Sequence, residues 1–129
     1  MFRFEKLSVW QKAIEFADRV YAATASFPGD ERFGLTSQLR RAAVSVSSNI
    51  AEGSSRSSNV DFARFIEIAY GSVMEVVSQL HIAKRQQFVS DDSFEELGNL
   101  ADEVSRMLSG LRASLLKQSR DQSRGSRDK

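Results

Sequence analysis

The chain has a single histidine, His81, and no cysteine, and these two facts narrow the chemistry open to it. Helix-bundle proteins that hold paired iron or manganese ions draw on Glu-x-x-His motifs projecting inward. Three residues before His81 stands Ser78, so a carboxylate metal cluster of that pattern is excluded. Without thiols, disulfides and thiolate metal sites are excluded as well. Nucleophilic catalysis needs a Ser or Cys activated by a neighbouring base. Serines are dense in QLRRAAVSVSSNIAEG, Gln38 to Gly53, but no histidine adjoins them. No glycine-rich phosphate loop or nucleophile elbow is present. The serines read as small spacers on a helix and His81 as a surface or boundary residue. The expectation is a protein that is not an enzyme, with no cofactor, no metal and no small-molecule substrate.

What remains is charge and close packing. Arg40 and Arg41 fall in the first turns of the helix formed by this segment, where the helix dipole disfavours cations, so both should have partners. Gln38, Arg41, Ser45, Ser48 and Glu52 make one polar stripe at 3–4 spacing. Arg41 and Glu52 are too far apart to pair within one helix. Glu67 or Glu75 of the following helix, or a second subunit, would satisfy them, and phosphate contact by Arg40, Arg41 and Arg56 is the rival expectation. Asn49 and Glu52, with Gly53 and Arg56, are placed to bond the next turn's backbone; the plainer reading makes Gly53 a C-cap glycine. Gly71, in mid-helix beside Ser72, costs about 1 kcal/mol relative to alanine. It implies a close helix–helix crossing.

Apolar spacing supplies the elements that must carry these side chains. Helix 1 is expected over about Val9 to Ser26, with Ser8 and Gln11 as a capping box. Its stripe is Trp10, Ala13, Ala17, Val20, Thr24 and Phe27, widened by Ile14, Phe16 and Tyr21, and Pro28-Gly29 ends it. Helix 2, Leu35 to Gly53, has a narrow seam of Leu39, Ala43, Val46, Ile50 and Gly53 flanked by small residues. Ser58 and Asp61 cap helix 3, which runs to about Gln87. Phe62, Phe65, Ala69, Val73, Val76, Leu80 and Ala83 form its main seam. Ile66, Tyr70, Met74 and Val77 form a second, which makes the helix central. Helix 4 starts near Asp91 or Asp92 and keeps the spacing from Phe94 to Leu115. Short connections imply an antiparallel up-down-up-down four-helix bundle, all-α, over residues 1–116. Residues 117–129, polar throughout, are expected to be a disordered tail.

Of the 129 residues, 18 are basic and 17 acidic, for a net charge of +1. Residues 1–116 hold 13 basic and 15 acidic side chains, and the tail holds five basic and two acidic ones. A slightly acidic body is not that of a dedicated nucleic-acid binder; contact with RNA or DNA would rest on local arginine patches or the tail. No apolar run reaches membrane-spanning length and MFRFEKLSVW does not look like a signal peptide. The expected location is cytoplasmic. Helices 2 and 3 carry more apolar and small-residue surface than one bundle core requires, so a homo-oligomer is expected.

The blocks FEKLSVWQKA (Phe4–Ala13), GLTSQLRRAAVSVSSNIAEG (Gly34–Gly53) with Arg56 after it, and FIEIAYGSVMEV (Phe65–Val76) carry a resemblance. In their order and spacing the chain resembles the small bacterial four helix bundle protein family, also called the 23S rRNA intervening-sequence protein family. The resemblance implies an all-α bundle that assembles as a homopentamer, often encoded within insertions in rRNA genes, with its molecular activity unresolved. A related group forms the basic, pentameric accessory proteins of diversity-generating retroelements, which bind reverse transcriptase and nucleic acid. This sequence departs from that group in its slightly acidic body.

Overall fold

The 3–4 spacing of apolar residues becomes four helices in the computed structural model, which describes residues 1–127: α1 Ser8–Thr24, α2 Leu35–Ser54, α3 Asn59–Arg85 and α4 Asp91–Arg127. Short 3-10 turns at Arg3–Lys6 and Gly29–Glu31 precede α1 and α2, and no strand occurs among the described residues. One core unites the helices. Phe16 of α1, Leu39 and Ile50 of α2, Ile66 of α3, and Leu97 and Leu108 of α4 are its largest fully buried side chains. Each contributes about 1.5–3 kcal/mol by leaving water. The broadest packing is of α3 against α2 on one side and α4 on the other, and α1 closes the bundle against α2 and α4. α3 is central as its apolar breadth implied, but of its second seam Tyr70 and Met74 are exposed rather than packed in the core. On α1 the core takes Val9 and Phe16, whereas Ile14 and Tyr21, expected to widen the buried stripe, are 38% and 45% exposed.

Side-chain pairs fix the register between helices. Gln38 meets Gln79, and Ser45 meets Ser72 with their hydroxyls 2.9 Å apart. Gly53 lies against Phe62 and Phe65. Between α1 and α4, Lys12 pairs with Glu103 and Arg19 with Glu96. Between α3 and α4, Asn59 bonds Gln118, Arg112 pairs with Glu67, and His81 packs edge-on to Phe94. The ion pairs are exposed and each is worth about 0–1 kcal/mol. Hydrogen bonding to Glu15, aided by the charges of Glu103 and Glu15, raises the Lys12 pKa above its ordinary value.

The caps hold two of the sequence expectations and change one. Ser58 Oγ accepts the Asp61 N–H at 3.1 Å as expected, and Asp91 and Asp92 occupy the first turn of α4. Ser8 is not a cap: the N-cap is Leu7, and the Gln11 side chain instead donates to the Glu5 carbonyl of the preceding 3-10 turn. The end of α3 is a Schellman motif, in which Phe88 N–H reaches Ala83 O and Gln87 N–H reaches Lys84 O. It places Gln87, not a glycine, at φ 62°. The boundary expected at residue 116 is not a break. α4 continues to Arg127, because extending a helix already nucleated by packing costs little per residue when no proline intervenes. The side chains from Arg120 to Gly125 are exposed, and the last two residues of the expected tail lie outside the described residues. Among the described residues no helix is long and apolar enough to cross a membrane.

Candidate functional site

The arginine pair that opens α2 has two fates. Arg40 points back to α1, where its Nε donates to Thr24 Oγ1 at 2.9 Å and Nη2 to the Tyr21 carbonyl at 3.5 Å. Its guanidinium sits 4.6 Å from the centroid of the Tyr21 ring, a cation–π geometry. Thr24 is buried, and its own hydroxyl donates to Val20 O, which fixes a lone pair toward the arginine. Arg41 faces solvent without a hydrogen bond or ion pair among the described residues. Neither expected partner within the chain is in place: Glu67 pairs with Arg112, and Glu75 accepts only a 3.4 Å bond from Gln79.

Arg40 and Arg41 line an open pocket of about 480 Å³ between α1, the Gly29–Glu31 turn and the start of α2. Arg32, Phe33, Tyr21, Thr36, Ser37 and Val44 complete it. Arg32 lies 5.3 Å over the ring of Phe33, which is 88% exposed. None of the three arginines has a carboxylate partner among the described residues, whereas Arg19, Arg56, Arg64, Arg106 and Arg112 each have one. Glu31, the nearest acid in sequence, is turned to the Leu35 N–H at 3.1 Å. Such a pocket can hold an anion by charge and a flat ring by stacking.

The other candidates lie apart from this pocket. Asn49 donates to Ser45 O and Ser45 Oγ within its own helix rather than to the following turn. Glu52 pairs with Arg56 at 3.3 Å, and Arg56 caps the Phe65 ring at 4.5 Å. Gly53 is not a left-handed C-cap, since no glycine among the described residues has positive φ. It is the point of closest approach, where a Cβ would lie 2.6 Å from Phe65 Cβ. Gly71, expected at a close crossing, is open: an added Cβ would meet nothing within 4 Å among the described residues. It lies on an outward face of α3 with Val60, Arg64, Ile68, Glu75, Ser78 and Ile82, all within one narrow arc at 3.6 residues per turn. Ile68 and Ile82 are each 52% exposed.

Arg32, Phe33 and the Thr24–Tyr21 seat of Arg40 were not legible as site residues. The one available signal was Phe33 itself, an apolar residue in the polar run GDERFG. His81 forms no hydrogen bond with any serine among the described residues, and no group of acidic and histidine side chains there could hold a metal ion.

A family model described as 23S rRNA-intervening sequence protein matches residues 5–110. Among solved structures, the chain is similar to a protein of unknown function from the S23 ribosomal protein family of Bacteroides thetaiotaomicron. The TM-score is 0.72 at 24% identity, covering 81% of this chain and 97% of that one. At that identity the likeness speaks for the fold alone. No curated protein matches the chain.

Proposed function

The chain belongs to the 23S rRNA-intervening sequence protein family, and from that premise we propose that it is a non-enzymatic helical scaffold or binding protein acting as an assembly of identical copies. The observation that carries this reading is the outward face of α3. Val60, Ile68 and Ile82 share it with the bare backbone of Gly71, and Met74 stands beside them, 41% exposed. Three exposed aliphatic side chains spread over about 33 Å of one helix face, interleaved with Arg64, Glu75 and Ser78 and without an apolar partner among the described residues, support a mixed contact surface. Gly71 would let a second helix approach closely there, and Glu75, which has no cation partner among the described residues, would meet a basic group of the next copy. Five copies is the number that the family resemblance implies, and a ring would repeat each surface site five times.

The protomer in this reading is an antiparallel up-down-up-down bundle. The falling order of partners supports it: Gln38, Ser45 and Gly53 of α2 face Gln79, Ser72 and Phe62 of α3. Light scattering on Ile68→Glu and Gly71→Leu tests the assembly. Both variants should lose mass while keeping wild-type helicity, and retention of the wild-type mass by both refutes the surface.

A second reading, an accessory that binds nucleic acid or reverse transcriptase like the related retroelement proteins, is favoured by one observation. Arg32, Arg40 and Arg41 converge on one pocket with no carboxylate among the described residues paired to them. It predicts nucleic-acid binding that weakens steeply as salt rises.

A further inference from the structure

We infer that the pocket between α1, the Gly29–Glu31 turn and the start of α2 binds single-stranded nucleic acid, with one base stacked on Phe33 and the flanking phosphates on Arg32, Arg40 and Arg41. This rests on the second reading above and goes beyond it by naming the site and the form of the strand.

Three independent features converge there. The first is charge without internal compensation. Five arginines elsewhere on the bundle surface hold carboxylates at 3.0–3.7 Å. These three, like Arg3 and Arg85, have none among the described residues, but they alone share one pocket, and Glu31 is turned to the α2 backbone. The second is preorganisation. Arg40 is clamped by Thr24 and Tyr21 through Nε and Nη2 while lining the pocket, so its charge is held there at little further entropy cost. The third is the aromatic. Phe33 is the most exposed phenylalanine of the chain, held in solvent at the mouth of the pocket. Arg32 covers one face of its ring and leaves the other open. A ring flanked by cations is how sequence-tolerant single-strand binders take an unpaired base. The same geometry discriminates against a duplex, whose base faces are already stacked. The pocket is open rather than enclosed, so a strand can enter and leave on either side of the stacked base.

The test is fluorescence anisotropy of a labelled uridine oligonucleotide on the full-length protein, from low to physiological salt. A fully paired hairpin, uridine monophosphate and inorganic phosphate serve as competitors. The wild type should bind the strand, and the hairpin and the two small anions should compete poorly. Phe33→Ala should weaken binding roughly tenfold with its salt dependence unchanged. Arg32→Gln and Arg41→Gln should each lower the salt slope by about 1. Light scattering on every variant should return the wild-type mass. If the wild type binds but Phe33→Ala and both arginine variants bind equally well, the site is wrong and the second reading survives through Arg56 or the C-terminal arginines. If the wild type binds nothing at low salt, both fall. Competition by uridine monophosphate as strong as by the strand overturns the strand in favour of a free nucleotide. A changed assembly mass in the Phe33 variant overturns the proposal by making this face a contact between copies.

Discussion

Gly53→Ala adds one methyl group where α2 rests on α3, and its effect can be worked out from the coordinates. The new Cβ would lie 2.6 Å from Phe65 Cβ and 2.9 Å from Phe62 Cδ1, whereas non-bonded carbons settle at about 3.5–4.0 Å. Phe65 Cβ is part of the α3 framework and cannot swing aside, so the helices must part or Phe62 must leave its rotamer. Overpacking of this kind costs about 1–3 kcal/mol. The gain in helix propensity offsets at most about 1 kcal/mol, less near the end of a helix. The expected result is a net loss of about 1–2 kcal/mol, several degrees in Tm for a chain of this size. Gly110→Ala is the control. Gly110 is exposed in mid-α4 with nothing within 4 Å of an added Cβ, so the same change should stabilise by up to about 1 kcal/mol. Urea titrations followed by far-UV circular dichroism, at one protomer concentration because association shifts apparent stability, compare the two. Equal stabilisation by both substitutions would refute the close approach at Gly53.

Three further outcomes follow from the same coordinates. Gln87→Gly should raise stability by about 0.5–1 kcal/mol in the same titration, because Gln87 occupies the left-handed region at φ 62° where glycine carries no Cβ penalty. Ser58→Ala removes the acceptor for the Asp61 N–H and should cost about 1 kcal/mol, whereas Ser58→Asp should largely preserve stability. Ile68→Glu puts a charge on the exposed strip of α3 and should reduce the mass seen by light scattering without loss of helicity, since Ile68 is half-exposed and outside the protomer core.

Helix positions were legible because each helix buries one face, and one buried face writes itself into sequence as a 3–4 spacing. The Ser58–Asp61 cap and the paired aspartates at the start of α4 were legible because caps are local. The glycines were not. A glycine ending a helix as a left-handed cap and one admitting a neighbouring side chain look alike in sequence. Only Phe62 and Phe65, arriving across the next turn, decide for Gly53. Gly71 is open within its own protomer, which shows only when the neighbouring helices are in place. The seat of Arg40 on Thr24 and Tyr21 joins residues 16 and 19 apart across a loop with no periodicity. Arg32 and Phe33 belong to that same loop, so the pocket they help form has no periodic signature, only an apolar Phe33 within the polar run GDERFG. The polar run after residue 116 argued for disorder from composition, but α4 propagates through it because the packed turns before it have already nucleated the helix.

Sedimentation velocity of the intact wild-type protein across a wide concentration range addresses self-assembly most directly. The exposed aliphatic residues of α3 and Glu75, which has no cation partner among the described residues, predict a discrete species at a multiple of the 14.4 kDa chain mass, five-fold for a ring of the implied size. A single species of 14.4 kDa at every concentration would contradict it.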